Sequence, residues 1–135
     1  MTLDPLLAAP LAVRLHVLTV VPAFFLGLWQ ILASRKGSPG HRAVGLLYVA
    51  LMVATSIIAI FVHELNPDGF MGWSLIHLFV PLTLFGVLGG LVRLRQGNIA
   101  GHKRAMVATF VGALVIAGGF TFLPGRIMHH VVFGP

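Results

Sequence analysis

The 135-residue chain contains no cysteine. Disulfides, thiolate metal sites, iron–sulfur ligation and cysteine nucleophiles are thereby excluded. Histidine, present seven times, becomes the main side chain for metal or proton chemistry. Acids are scarce too, since Asp4, Glu64 and Asp68 are the only three. None lies inside an apolar run, which rules out carboxylate acid–base chemistry there. No Ser–His–acid constellation and no phosphate loop can be traced, so hydrolysis is a poor reading and any activity would be that of a membrane oxidoreductase. The chain has no Ser- or Pro-rich linker, low-complexity tract or acidic tail, and residues 1–135 are expected to form one transmembrane domain. The opening "MTLDPLLAAPLAV" lacks a basic segment before its apolar run, so that run is expected to stay in the mature protein.

What the chain does have is apolar surface. With 58% hydrophobic and 9% charged residues it reads as an integral membrane protein in contact with the lipid bilayer. A bilayer core of about 30 Å needs about 20 apolar residues in helix. Four runs qualify: about 11–33, 43–62, 72–94 and 105–123. A β-barrel would need alternating segments of about 10 residues in at least eight strands. The expected fold is therefore an all-α bundle of four transmembrane helices. The tail 124–135 is too short to span and is expected to form a brief interfacial helix or turn, with His129 and His130 pointing apart if it is extended.

The net charge of +6 does not indicate nucleic acid, because the bases sit in short turns and not on a solvated face. Seven of the nine Lys and Arg flank two connections: Arg35, Lys36 and Arg42, then Arg93, Arg95, Lys103 and Arg104. The positive-inside rule places both connections in the cytoplasm, and both termini and the acidic middle loop outside.

The chain also repeats itself. His16 and His41 are 25 residues apart, as are His77 and His102, and 61 residues separate the two pairs. The same shift places Gly40-His41-Arg42 on Gly101-His102-Lys103 and Tyr48 on Thr109. Two tandem hairpins, about 11–63 and 72–123, form a parallel repeat about an axis along the membrane normal. Small residues at Gly86 and Gly90, and at Ala108 and Gly112, are expected to let helices approach closely. Pro81 is expected to free the carbonyl of His77, four residues back.

His16 and His77 are ionisable groups within spans, which makes them functional candidates. On diagonal helices at one depth they would suit the axial ligation of a haem b. Copper or zinc is the alternative, and a plain interhelical hydrogen bond is the simplest role. On the outer side His63, Glu64, His129 and His130 form an alternative metal site. His41 and His102 open their helices beside Arg42 and Lys103, where an anion, a haem propionate or a quinone oxygen would be favoured, with Tyr48 extending the pocket.

The segments "GLWQIL", "GHRAVGLLY" and "GHKRAM", with His16 and His77, resemble the small bacterial membrane proteins grouped as domain of unknown function 2306. The chain departs from that pattern around Met106, where Ala105 precedes and Val107 follows. The resemblance implies a multi-pass protein of a bacterial inner membrane and no particular activity. The paired-histidine hairpins look like those of the two-haem cytochrome b superfamily, a similarity of architecture only. Together these features suggest a b-type haem electron-transfer protein that meets a quinone or redox partner. The alternative is a non-redox metal-binding or accessory subunit, and a homo-oligomer is compatible with either.

Overall fold

Apolar runs of this length settle as helices because only a helix satisfies all of its backbone polar groups within one segment in lipid. The computed structural model describes residues 1–62 and 75–135 and is helical almost throughout. A short α1 (Asp4–Leu7) precedes α2 (Leu11–Leu32) and α3 (Pro39–Ala59). A 3-10 turn, Leu75–Leu78, leads into α4 (Phe79–Arg95). After α5 (Ile99–Thr109) the chain winds as a π-helix over Phe110–Ile116 and returns to α-helix in α6 (Ala117–Phe120), and α7 (Ile127–Phe133) closes the chain. No strand occurs among the described residues. His63, Glu64, Asp68 and Trp73 lie outside them.

Three helices are long and apolar enough to cross a membrane: Leu11–Leu32, Pro39–Ala59 and the continuous stretch Ile99–Phe120. The expected run 72–94 is described only from Leu75, as the 3-10 turn and the 17 residues of α4. Polarity is arranged for lipid. Leu18, Phe25, Leu46, Leu82 and Phe85 face outward, while Thr55, Ser56, Thr83 and Thr109 are buried. Hydroxyls inside and large apolar side chains outside reverse the order of a soluble bundle.

Each long element packs on its neighbours in a ring: α2 on α3, α3 on α4, α4 on α5, and the π-helix back on α2 and α4. In that order α2 and α4 stand diagonally, as do α3 and the α5–π–α6 element. The centre is an apolar cluster of Ala23, Tyr48, Met52, Val87, Phe110 and Leu114. At the end where α2 begins, α1 packs on α7, and the Thr2 N–H donates to the Val131 carbonyl at 3.1 Å. The tail is thus a helix docked on the N-terminal segment, and the His129 and His130 rings stand edge-on 5.8 Å apart instead of diverging.

Several boundaries differ from expectation, each for a local reason. The helices of the runs 43–62 and 105–123 begin earlier, at Pro39 and Ile99, so His41 and His102 open their helices as expected and Arg42 lies in the first turn too. Ser38 caps α3 by accepting from the His41 N–H at 3.1 Å, and Asn98 caps α5 by accepting from the Gly101 N–H at 2.8 Å. Gly37 and Gly97, immediately before the caps, adopt φ of +77° and +74°, which only glycine enters without strain. Pro81 falls in the first turn of α4, where a missing N–H is tolerated, so it creates no mid-helix break below His77.

Small residues serve one interface, not two. A Cβ at Gly90 would lie 3.1 Å from Met106 Sδ and 3.4 Å from the Ala105 Cβ, and one at Gly86 would collide with Thr109, so both glycines admit α5. Ala108 is exposed, and a Cβ at Gly112 would meet nothing within 4 Å, so that pair faces away from the bundle.

Candidate functional site

The bundle carries polar layers at both ends, separated by the apolar cluster. At the end where α2 begins, His16 is half-buried and its Nδ1 lies 3.2 Å from both the carbonyl oxygen and the Oγ1 of Thr55 on α3. A carbonyl can only accept, so Nδ1 is the protonated nitrogen and Nε2 keeps its lone pair. His77, 4% exposed, stands in the 3-10 turn ahead of α4, not within the helix. His16 lies 16 residues before the end of α2 and His77 lies 18 before the end of α4. At about 1.5 Å per residue they share a depth to within one turn. Buried Thr55, Ser56 and Thr83 complete this layer.

The opposite end holds a denser network. Ser34 Oγ donates to the Gln30 carbonyl at 2.8 Å and is 2.8 Å from His41 Nδ1. With its hydroxyl proton committed, Ser34 accepts from His41, which again leaves Nε2 as the lone-pair nitrogen. Gln30 Nε2 donates to the His41 carbonyl at 2.8 Å, tying α2 to the first turn of α3. The Lys36 ammonium folds over the end of α2 and donates to the carbonyls of Gln30, Ile31 and Ser34, where cations complement the helix dipole. In the second hairpin His102 Nδ1 donates to the Gly90 carbonyl at 2.9 Å. His41 and His102 are near enough to interact electrostatically.

Two glycines explain why α2 and α3 fit so closely. The Tyr48 ring lies over Gly27, and the Gln30 amide lies over Gly45, where an added Cβ would sit 2.8 Å from Nε2. Each helix thus offers a glycine to the other's large polar side chain. Gln30, Ser34 and Lys36 join the network around His41, a placement the sequence reading did not assign to them. Their signal was the matched three-residue spacing of Gly27 with Gln30 and of Gly45 with Tyr48.

The expected pocket of His41, His102, Arg42, Lys103 and Tyr48 is only partly assembled. His41 turns to Ser34 and His102 to Gly90, each within its own helical pair, whereas Arg42 and Lys103 are exposed on the outer surface. Tyr48 belongs to the apolar cluster, two turns deeper than His41, and its buried hydroxyl has no hydrogen-bond partner among the described residues. Thr109 turns back to donate to the Ala105 carbonyl at 2.7 Å.

Of the alternative outer metal site, His63 and Glu64 lie outside the described residues. His129 Nδ1 donates to the Phe122 carbonyl at 2.8 Å, and its ring packs on Phe133. Among the described residues no three His, Asp or Glu side chains gather closely enough to hold a metal ion.

Comparison with curated proteins and with solved structures finds no match to this chain. One family model does match, over residues 13–133, which takes in both polar ends and all the long helices. The chain therefore belongs to the family described as predicted membrane protein DUF2306.

Proposed function

We propose that the protein is a membrane electron carrier in which His16 and His77 hold a b-type haem at the end of the bundle away from the basic turns. The carrying observation is the state of the imidazoles. His16, His41 and His102 each commit Nδ1 to a helix partner and so present Nε2 as a ligand. Metal-binding histidines are oriented in this way, by a carbonyl or similar acceptor on the second nitrogen. His16 on α2 and His77 in the turn that opens α4 lie at matching depth, and the chain offers no thiolate or span carboxylate to compete.

A bound haem would supply a one-electron couple. The protein's own part is to fix the His16 ring through Thr55, to keep water from His77 by burial, and to surround the pair with hydroxyls that tolerate a polar group in lipid. At the basic end His41 and His102 form a second pair of lone-pair nitrogens, suited to accepting a hydrogen bond from a quinol hydroxyl. In this reading the molecule is two tandem hairpins of a four-helix bundle in a bacterial inner membrane, with the basic turns cytoplasmic and the termini outside.

An absorption spectrum of purified protein, oxidised and dithionite-reduced after expression with ample haem, tests the proposal. A Soret band with α and β bands sharpening on reduction is expected, and both His16→Ala and His77→Ala should abolish it. His41→Ala should keep the spectrum and slow reduction by quinol. A colourless protein would refute the haem, and elemental analysis of the same sample for copper and zinc would then decide whether the histidines hold a metal ion.

A further inference from the structure

Along the exposed face of the α5–π element, Ala100, Lys103, Arg104, Val107, Ala108 and Val111, all from that one element, form an open, shallow groove. The groove has two chemistries. Lys103 and Arg104 stand exposed at its upper end, near the start of α5, and below them the walls are apolar, with Ala108 forming a notch between longer neighbours. From Ala100 to Val111 is 11 residues, about 16 Å of helix, which matches the depth of one leaflet of a 30 Å hydrocarbon core.

We propose that this groove binds an anionic phospholipid, with its phosphate on Lys103 and Arg104 and one acyl chain lying along Val107, Ala108 and Val111. Charge decides between this occupant and a second copy of the chain. In a two-fold parallel dimer through this face, Lys103 and Arg104 would confront their own copies. The chain has only three acids, Asp4, Glu64 and Asp68, and in sequence each is separated from Lys103 and Arg104 by at least one whole long helix. A phosphate supplies the missing negative charge, and basic pockets at this level of a membrane protein suit acidic headgroups. The groove lies on the lipid-facing side of the helix, while His102 of the same helix turns inward to Gly90. The inference therefore stands whether or not a haem is bound.

The test is native mass spectrometry of the full chain released from detergent with equimolar phosphatidylglycerol and phosphatidylcholine. Each base near a membrane surface favours an acidic lipid about fivefold, so a preference of up to about thirtyfold for phosphatidylglycerol is expected. Lys103→Gln with Arg104→Gln should abolish it, and Arg93→Gln with Arg95→Gln, an equal loss of charge at the same end, should not. Ala108→Phe should release the lipid with both bases in place. Equal retention of the two lipids, an equal loss in the Arg93 and Arg95 variant, or displacement of lipid by millimolar inorganic phosphate would overturn the proposal. So would a dimer that Ala108→Phe dissociates. The double-glutamine variant alters only exposed side chains, and its result stands even where Ala108→Phe disturbs folding.

Discussion

Gly27→Ala adds one methyl group at the closest approach of three helices, and the structure gives a size for its effect. The new Cβ would lie 2.6 Å from Phe110 Cδ2 and 2.8 Å from Tyr48 Cε2, against the 3.5–4.0 Å of ordinary carbon contacts. Relief requires a ring to move by about 1 Å, and both rings belong to the central cluster with Met52 and Val87, which are fully buried. Overpacking of this kind costs about 1–3 kcal/mol. The better helix propensity of alanine returns at most about 1 kcal/mol. The net loss should be about 0–2 kcal/mol, and about 1–3 kcal/mol, or several degrees in Tm, relative to a glycine-to-alanine change that gains the same propensity without a clash. Thermal unfolding of purified protein in one detergent measures it, with Gly89→Ala as control, because a Cβ there meets nothing within 4 Å. Phe110→Leu in the Gly27→Ala background should restore part of the loss. A Gly27→Ala protein that melts no lower than Gly89→Ala would refute the close packing of α2 against Tyr48 and the π-helix.

Two further outcomes follow from buried or capping polar groups. Tyr48→Phe removes a buried hydroxyl that has no hydrogen-bond partner among the described residues, so Tm should hold or rise by the equivalent of about 1 kcal/mol. A clear fall would reveal a partner. Ser38→Ala deletes the cap of α3 and should cost about 1 kcal/mol, with faster amide exchange at His41, whereas Ser38→Asn should keep both near the original values.

The helices were legible because apolar runs of about 20 residues have little alternative in lipid. Their starts were less so. The runs 43–62 and 105–123 start four to six residues later than their helices, since hydropathy falls at charged residues while the backbone obeys its caps, Ser38 and Asn98. The π-helix was not legible at all. Phe110–Ile116 is an ordinary apolar heptamer by sequence, and its winding answers to packing in which Phe110 and Leu114 both reach the core. At the histidines, sequence identified the residues and the ends of the bundle they occupy, but not their tautomers. Those depend on Thr55, 39 positions away in the chain from His16, and on Gly90, twelve from His102. Side-chain spacing within one helix carries no information about an acceptor on another.

The two basic ends differ in register. Helix starts and the left-handed glycines match at a shift of 60 residues, Gly37 with Gly97 and Ser38 with Asn98, whereas the histidines match at 61. His102 therefore sits one residue further into its helix than His41, rotated by about 100°. That rotation changes its acceptor. His41 reaches the hydroxyl of Ser34 beyond the end of α2, while His102 meets the flank of α4 and needs a carbonyl that no side chain covers, which Gly90 provides. Here the partner changes and the outcome does not, because both rings still commit Nδ1 and present Nε2.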